Sequence, residues 1–132
     1  MDIKKISEEL EQEDVPVRVP LFKRDGEPDL GSDGQQAYFE MLGRDSARVK
    51  RVMEAQQRRW ARHRGPIKSE DLYANRVEVA TAALVSWGGI EDGGKPVAVS
   101  PDVAKAVFSD RHYLEQAEEG IANHARFFTK AS

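Results

Sequence analysis

The chain has no cysteine. That excludes a disulfide framework, thiolate catalysis and cysteine-ligated zinc, and it agrees with a reducing cytoplasm. Long apolar runs are missing as well. The longest uncharged stretch, Val79 to Ile90, includes two glycines and is too short to cross a bilayer. Met1-Asp2-Ile3-Lys4-Lys5 leads into acidic residues rather than an apolar segment, so no secretory signal is expected. Nor does one sign of charge dominate. A net charge of −3 gives no overall pull toward nucleic acid or acidic lipid. What remains is a chain of 132 residues, 39% hydrophobic and 33% charged. This reads as one soluble domain with a charged exterior, long enough to bury roughly two-thirds of its unfolded surface without staples.

Residues 1–14 are rich in charge, with Glu8, Glu9, Glu11, Glu13 and Asp14 following two lysines. Few apolar groups are there to dock a helix, so a mobile end is expected. Val15-Pro16-Val17-Arg18-Val19-Pro20-Leu21-Phe22 alternates like a strand, and its prolines, lacking ladder donors, place it at a sheet edge. Lys23 to Pro28 is a turn around Asp25-Gly26, and Ala37 to Leu42 is the return strand. From Gly43 the period changes. Asp45 or Ser46 caps a helix with Val49, Val52, Met53, Gln56 and Trp60 on one face, stopping at Gly65-Pro66. Ser69 caps the next, whose stripe runs through Leu72, Val77, Ala80, Ala83, Leu84 and Trp87 to Gly88-Gly89. Trp87 then seals the end of the bundle. Asp92 to Pro96 is a tight turn between short extended arms. Ser100-Pro101-Asp102 starts a short helix, and Ser109-Asp110 starts a last one along Leu114, Ala117, Ile121, Ala125 and Phe128, fraying from Thr129 to Ser132. The reading is α+β: a hairpin at 15–42 packed on a helical body of about four helices at 43–129, in one domain spanning 1–132.

Catalytic signatures are lacking. His63, His112 and His124 do not approach the spacing of a helical metal site and have no acid partner in a recognised motif; they read as surface or helix-end histidines. No cofactor loop is present, and no enzyme is expected. Arg44 to Arg64 is different. Eight basic residues (Arg44, Arg48, Lys50, Arg51, Arg58, Arg59, Arg62, Arg64) face two acids, Asp45 and Glu54, a local charge of +6. Three readings stand open: a solvated face paired with the acidic N-terminus or with Glu70 and Asp71, a surface for an acidic protein anchored by Trp60, or a nucleic-acid face. The overall balance and the absence of a recognition motif weigh against nucleic acid. At the other end, Arg126-Phe127-Phe128 puts two aromatics about 100° apart on a helix, so one can pack while the other stays available.

Three stretches together resemble the tail assembly chaperones of long-tailed, lambda-like bacteriophages and prophages. They are Val17 to Leu42 with Gly43-Arg44-Asp45-Ser46; Leu84 to Ile90 with Asp92-Gly93, Lys95-Pro96 and Ser100-Pro101; and Gly120 to Phe128. Val97-Ala98-Val99 departs from the family, whose members often carry an aromatic there, and Glu91 to Lys95 is slightly expanded. The resemblance implies a non-enzymatic chaperone that coats the tape measure protein in the host cytoplasm and is absent from the finished virion. It implies self-association along the client, the tail tube protein as a further partner, and no membrane. The expected contact residues are Arg58, Arg59, Trp60, Arg62, Arg126, Phe127 and Phe128. The alternatives are a nucleic-acid-binding regulator using residues 44–64, or a small structural tail or head-completion protein.

Overall fold

A computed structural model describes residues 1–131, with side chains through Phe128. Eleven elements follow in order: α1 (Ile3–Gln12), β1 (Val17–Pro20), β2 (Tyr38–Met41), α2 (Ala47–Ala61), α3 (Ser69–Ala83), β3 (Leu84–Gly88), β4 (Glu91–Asp92), β5 (Lys95–Pro96), α4 (Pro101–Phe108), α5 (Arg111–Ala122) and α6 (His124–Ala131). The class is mixed α+β, as expected. β1, β2 and β3 form one antiparallel sheet in that order, and β4–β5 form a separate two-stranded ribbon.

The hairpin is where the alternation put it, with Val17 opposite Met41 and Pro20 opposite Tyr38. β1 lies at the edge, where Pro16 and Pro20 leave no ladder bond unmade. Two finer expectations fail. The sheet has a third strand: Leu84 to Gly88 leave the helix at Ala83 and pair with β2, Trp87 opposite Phe39. Spacing alone makes Leu84 and Trp87 the end of a helical stripe. A leucine, a valine and a tryptophan suit either element at that length, and the open edge of β2 decides for strand. The last helix also divides, α5 ending at Ala122 and α6 starting at His124. The helical body therefore has five helices, and residues 3–12 supply a sixth. The expected fraying of 129–132 involves Ser132 and the side chains of 129–131, which lie outside the described residues.

Caps account for most helix starts. The hydroxyls of Ser46 and Ser100 accept the amides of Val49 and Val103, and Asp110 accepts that of His112. α3 departs from expectation: its N-cap is Lys68, with no side-chain cap bond, and Ser69 is already helical.

The inner face of the sheet presents Val17, Val19, Phe39 and Met41, which are buried with Phe108 and Leu114. Phe39 is central, its ring 5.5 Å from Phe108 at 73° and 6.4 Å from Trp87. Trp87 packs on this core as expected, but from a strand; it is half-buried and its indole N–H donates to the Val97 carbonyl at 2.7 Å. α5 passes closely over β1 at Gly120, whose missing side chain makes room for Val19. On the outer face the Arg18 guanidinium stacks 3.8 Å from the Tyr38 ring centre.

α2 and α3 form an antiparallel hairpin. At its base Arg48 donates to the Ala82 carbonyl, and Val49, Ala80 and Ala83 are buried against the sheet. Further out, Gln56 bonds Asn75 and Glu78, and Arg59 bonds Glu78. The tip is open: every residue from Ala61 to Glu70 is exposed.

Candidate functional site

The arginine-rich segment lies mostly on α2, with Arg62 as its C-cap and Arg64 in the turn beyond. Arg58 and Arg62 are exposed, and no carboxylate lies in ion-pair range of either among the described residues. Arg59 differs, since its guanidinium meets the Glu78 carboxylate at 2.8 Å. Neither the acidic N-terminus nor Glu70 and Asp71 neutralises these cations. Arg48 and Arg51 use their guanidinium groups on backbone carbonyls instead.

Trp60 is half-buried beside His63, their rings 4.9 Å apart and edge-to-face. It sits between two shallow grooves. One, of about 430 Å³, runs along the outer side of α2 past Lys50, Met53 and Gln57. The other, of about 330 Å³, lies between α2 and α3 and is bounded by Arg59, Asp71, Asn75 and Glu78. Both grooves mix signs, with Arg44 and Lys50 beside Asp45 and Glu54 in the first and Arg59 beside Asp71 and Glu78 in the second. An indole in so shallow a groove suits a helix or an extended segment that brings an apolar group with charges around it. Gln57, within a turn of Trp60, was not singled out from the sequence, and Met53, about two turns before it, was placed only on the helix's apolar face.

The C-terminal candidates part company. Phe127 is buried in the core beneath the Arg126 guanidinium, which stands 5.0 Å from its ring centre. Its burial removes the geometric basis for a contact role. Phe128 is half-buried and stacks on the His124 ring at 6.3 Å. Arg126 pairs with Glu119 at 2.9 Å, both exposed. These residues are not adjacent to the Trp60 grooves, so the candidates form two patches rather than one.

His124 is the clearest surprise among the polar residues. Read as a surface or helix-end histidine, it does begin α6, but it is only 2% exposed. Its Nε2 lies 2.6 Å from the Val15 carbonyl, and its Nδ1 lies 2.9 Å from the Glu13 carboxylate without hydrogen-bond alignment. Glu13 also accepts from the Asp45 amide, its carbonyl accepts from Gly43, and Asp14 accepts from the Ala47 amide. Two acids thus meet the N-terminal end of α2, where amides without helical partners and the helix dipole favour negative charge. They were legible only as members of an acidic run.

The perturbed ionisable groups lie elsewhere and have structural causes. A hydrogen bond from Arg24 holds the Asp110 carboxyl below its usual range. Burial, then the bond to Asp29, pushes the Tyr113 phenol up to about 12, and pairing with Glu118 raises Arg76. Among the described residues no cluster of histidines and carboxylates is arranged to hold a metal ion, and no helix is long and apolar enough to cross a membrane. No protein-family model, curated protein or solved structure matches the chain.

Proposed function

We propose that this protein is a non-enzymatic tail assembly chaperone of a long-tailed phage or prophage, keeping the tape measure protein soluble in the bacterial cytoplasm until the tail tube forms around it. The reading starts from the resemblance carried by residues 17–46, 84–101 and 120–128. The observation that supports it best is at the outer end of the α2–α3 hairpin, where Arg58 and Arg62, two residues either side of half-buried Trp60, stand exposed with no acid in ion-pair range among the described residues. A long helical client exposes repeated apolar stripes flanked by charge. Shallow grooves with an aromatic anchor and free guanidinium groups suit many modest contacts of that kind better than one deep pocket would. Arg58, Arg59, Trp60 and Arg62 form the main contact surface, with Arg126 and Phe128 a lesser one.

The test is co-expression with the cognate tape measure protein. Wild type should keep that protein soluble and co-purify with it, while Arg58→Glu with Arg62→Glu should lose the client and retain the wild-type circular dichroism spectrum. A tape measure protein equally soluble with either form would end the assignment of this surface. One equally soluble without any chaperone would end the functional reading. Unneutralised arginines also suit a phosphate backbone, which keeps a nucleic-acid role as the second reading. Binding of random DNA that weakens steeply with salt would favour it.

A further inference from the structure

His124 faces more acceptors than a neutral ring can satisfy. It is 2% exposed, with Nε2 2.6 Å from the Val15 carbonyl and Nδ1 2.9 Å from the Glu13 carboxylate. A carbonyl and a carboxylate only accept, and a neutral imidazole carries a single N–H. One nitrogen would then point a lone pair at an oxygen inside the protein, where an unsatisfied polar group is costly. With a proton on both nitrogens, the ring bonds Val15 and forms an ion pair with Glu13. Because Nδ1 is not aligned for a hydrogen bond, charge attraction is the main part of the second contact.

Most of the surrounding charge favours that form. Glu9 on α1 and Asp45 ahead of α2 line the same cleft as His124, and neither has a cation in ion-pair range among the described residues. Arg126 lines it too and opposes a charged ring, but it is paired with Glu119 of α5. β1 turns Val17 and Val19 inward, while its Arg18 stacks over Tyr38 on the outer face. The dipole at the start of α6 also opposes a cation, and the carboxylate at 2.9 Å offsets it.

The same turn carries the attachment of α1. The Glu13 carbonyl and carboxylate accept the Gly43 and Asp45 amides, and Asp14 accepts that of Ala47. No residue of α1 is buried, so the helix stays where residues 13–15 hold it.

We infer that docking of residues 13–15 captures a proton on Nδ1 of His124 against Glu13, which makes the attachment of α1 a pH-dependent latch. The docked state holds one proton more than a detached segment whose histidine is neutral and whose glutamate is ionised. Docking is therefore favoured as pH falls and weakens as pH rises. The loss is up to about tenfold per pH unit above about pH 6.5, where a free histidine gives up its charge. At lower pH the detached ring is charged as well, and the dependence fades. This latch operates whether or not the chain is a chaperone.

The test is solution NMR on the full chain. At about pH 7 the nitrogen shifts of the His124 ring should report protons on both nitrogens. The amides of Gly43 and Ala47 report docking, since each donates to residue 13 or 14. Their hydrogen-exchange protection factors should fall by up to about tenfold per unit from about pH 7 to about pH 9. That of Leu42, whose amide donates to the Ala83 carbonyl, should hold. Glu13→Gln separates a latch from a merely buried ring. Its side-chain amide can donate to a neutral Nδ1, so the segment should stay docked while the pH dependence at Gly43 and Ala47 disappears. A His124 ring with a single protonated nitrogen at about pH 7 would overturn the inference. So would wild-type protection at Gly43 and Ala47 that stays flat over this range, or a Glu13→Gln variant that keeps the wild-type pH dependence.

Discussion

The two ends of the α2–α3 hairpin are built from the same helices and face opposite demands. At the base, Val49, Ala80 and Ala83 have no solvent exposure, and Ser46 is buried with its hydroxyl capping α2. At the tip nothing is buried: Ile67 is 54% and Leu72 51% exposed, and α3 begins at Lys68 without a side-chain cap. The base is held by burial and satisfied polar groups. The tip keeps its guanidinium groups and Trp60 at the surface, at some cost in local stability. A chain that must bind a partner without unfolding gains from that division, because changes at the tip act on binding while changes at the sheet end act on the fold.

The comparison is tested most severely at the sheet end. Phe39→Ala removes a fully buried ring held between Phe108 and Trp87 and should cost about 3–5 kcal/mol. Denaturant titration reads this directly, and a cost below about 1 kcal/mol would place the core elsewhere. Gly120→Ala comes next. Alanine is worth about 1 kcal/mol more than glycine in a helix interior, so helix propensity alone forecasts stabilisation. Here the added methyl would meet Val19, a buried β-branched residue with little rotamer freedom. Overpacking of about 1–3 kcal/mol should win, and a lower melting temperature is the expected outcome.

The helix caps sharpen the contrast from both sides. Ser46→Ala should destabilise by about 1 kcal/mol, since it removes the side-chain acceptor for the Val49 amide. Lys68→Asp should do the opposite. It gives α3 the cap it lacks and adds negative charge at the helix N-terminus, for a gain of about 0.5–1 kcal/mol. Equal and opposite shifts in melting temperature would show that the base is already optimised and the tip is not. If Lys68→Asp had no effect, the tip would be too frayed for a cap to act.

How much of this the sequence disclosed follows from the range of each signal. The hairpin was legible because alternation, two prolines and an Asp-Gly turn are local and agree with one another. Ser46, Ser100 and Asp110 were legible as caps for the same reason. β3 was not, because Leu84-Val85-Ser86-Trp87 fits either a helix end or a strand, and the choice rests on β2, more than forty residues away. His124 was misplaced for a related reason: its burial depends on Glu13 and Val15, over a hundred residues earlier. Of the contact candidates, the arginine segment emerged exposed as charge alone suggests, whereas Phe127 and Phe128 could not be told apart until β1 and the sheet gave α6 a side to face. α1 was legible only in part: with few apolar groups to dock a helix, residues 1–14 read as a mobile end, whereas residues 3–12 are helical.

The smallest effect on stability is expected at Glu78, and it bears most directly on the tip. Glu78 pairs with Arg59 at 2.8 Å, but the two side chains are 44% and 58% exposed. An ion pair that open is worth about 0.2–1 kcal/mol. Glu78 also accepts from the Gln56 amide at 2.8 Å, and glutamine at this position keeps an oxygen for that bond. Glu78→Gln should therefore shift the melting temperature little, and by less as salt is raised. Its effect on binding has the other sign. Losing the carboxylate frees the Arg59 guanidinium beside Trp60, so an acidic partner should bind this variant more tightly than wild type and associate faster at low salt. If affinity falls instead, the Arg59–Glu78 pair positions the surface rather than occupying it, and Arg59 moves from the contact face to its support.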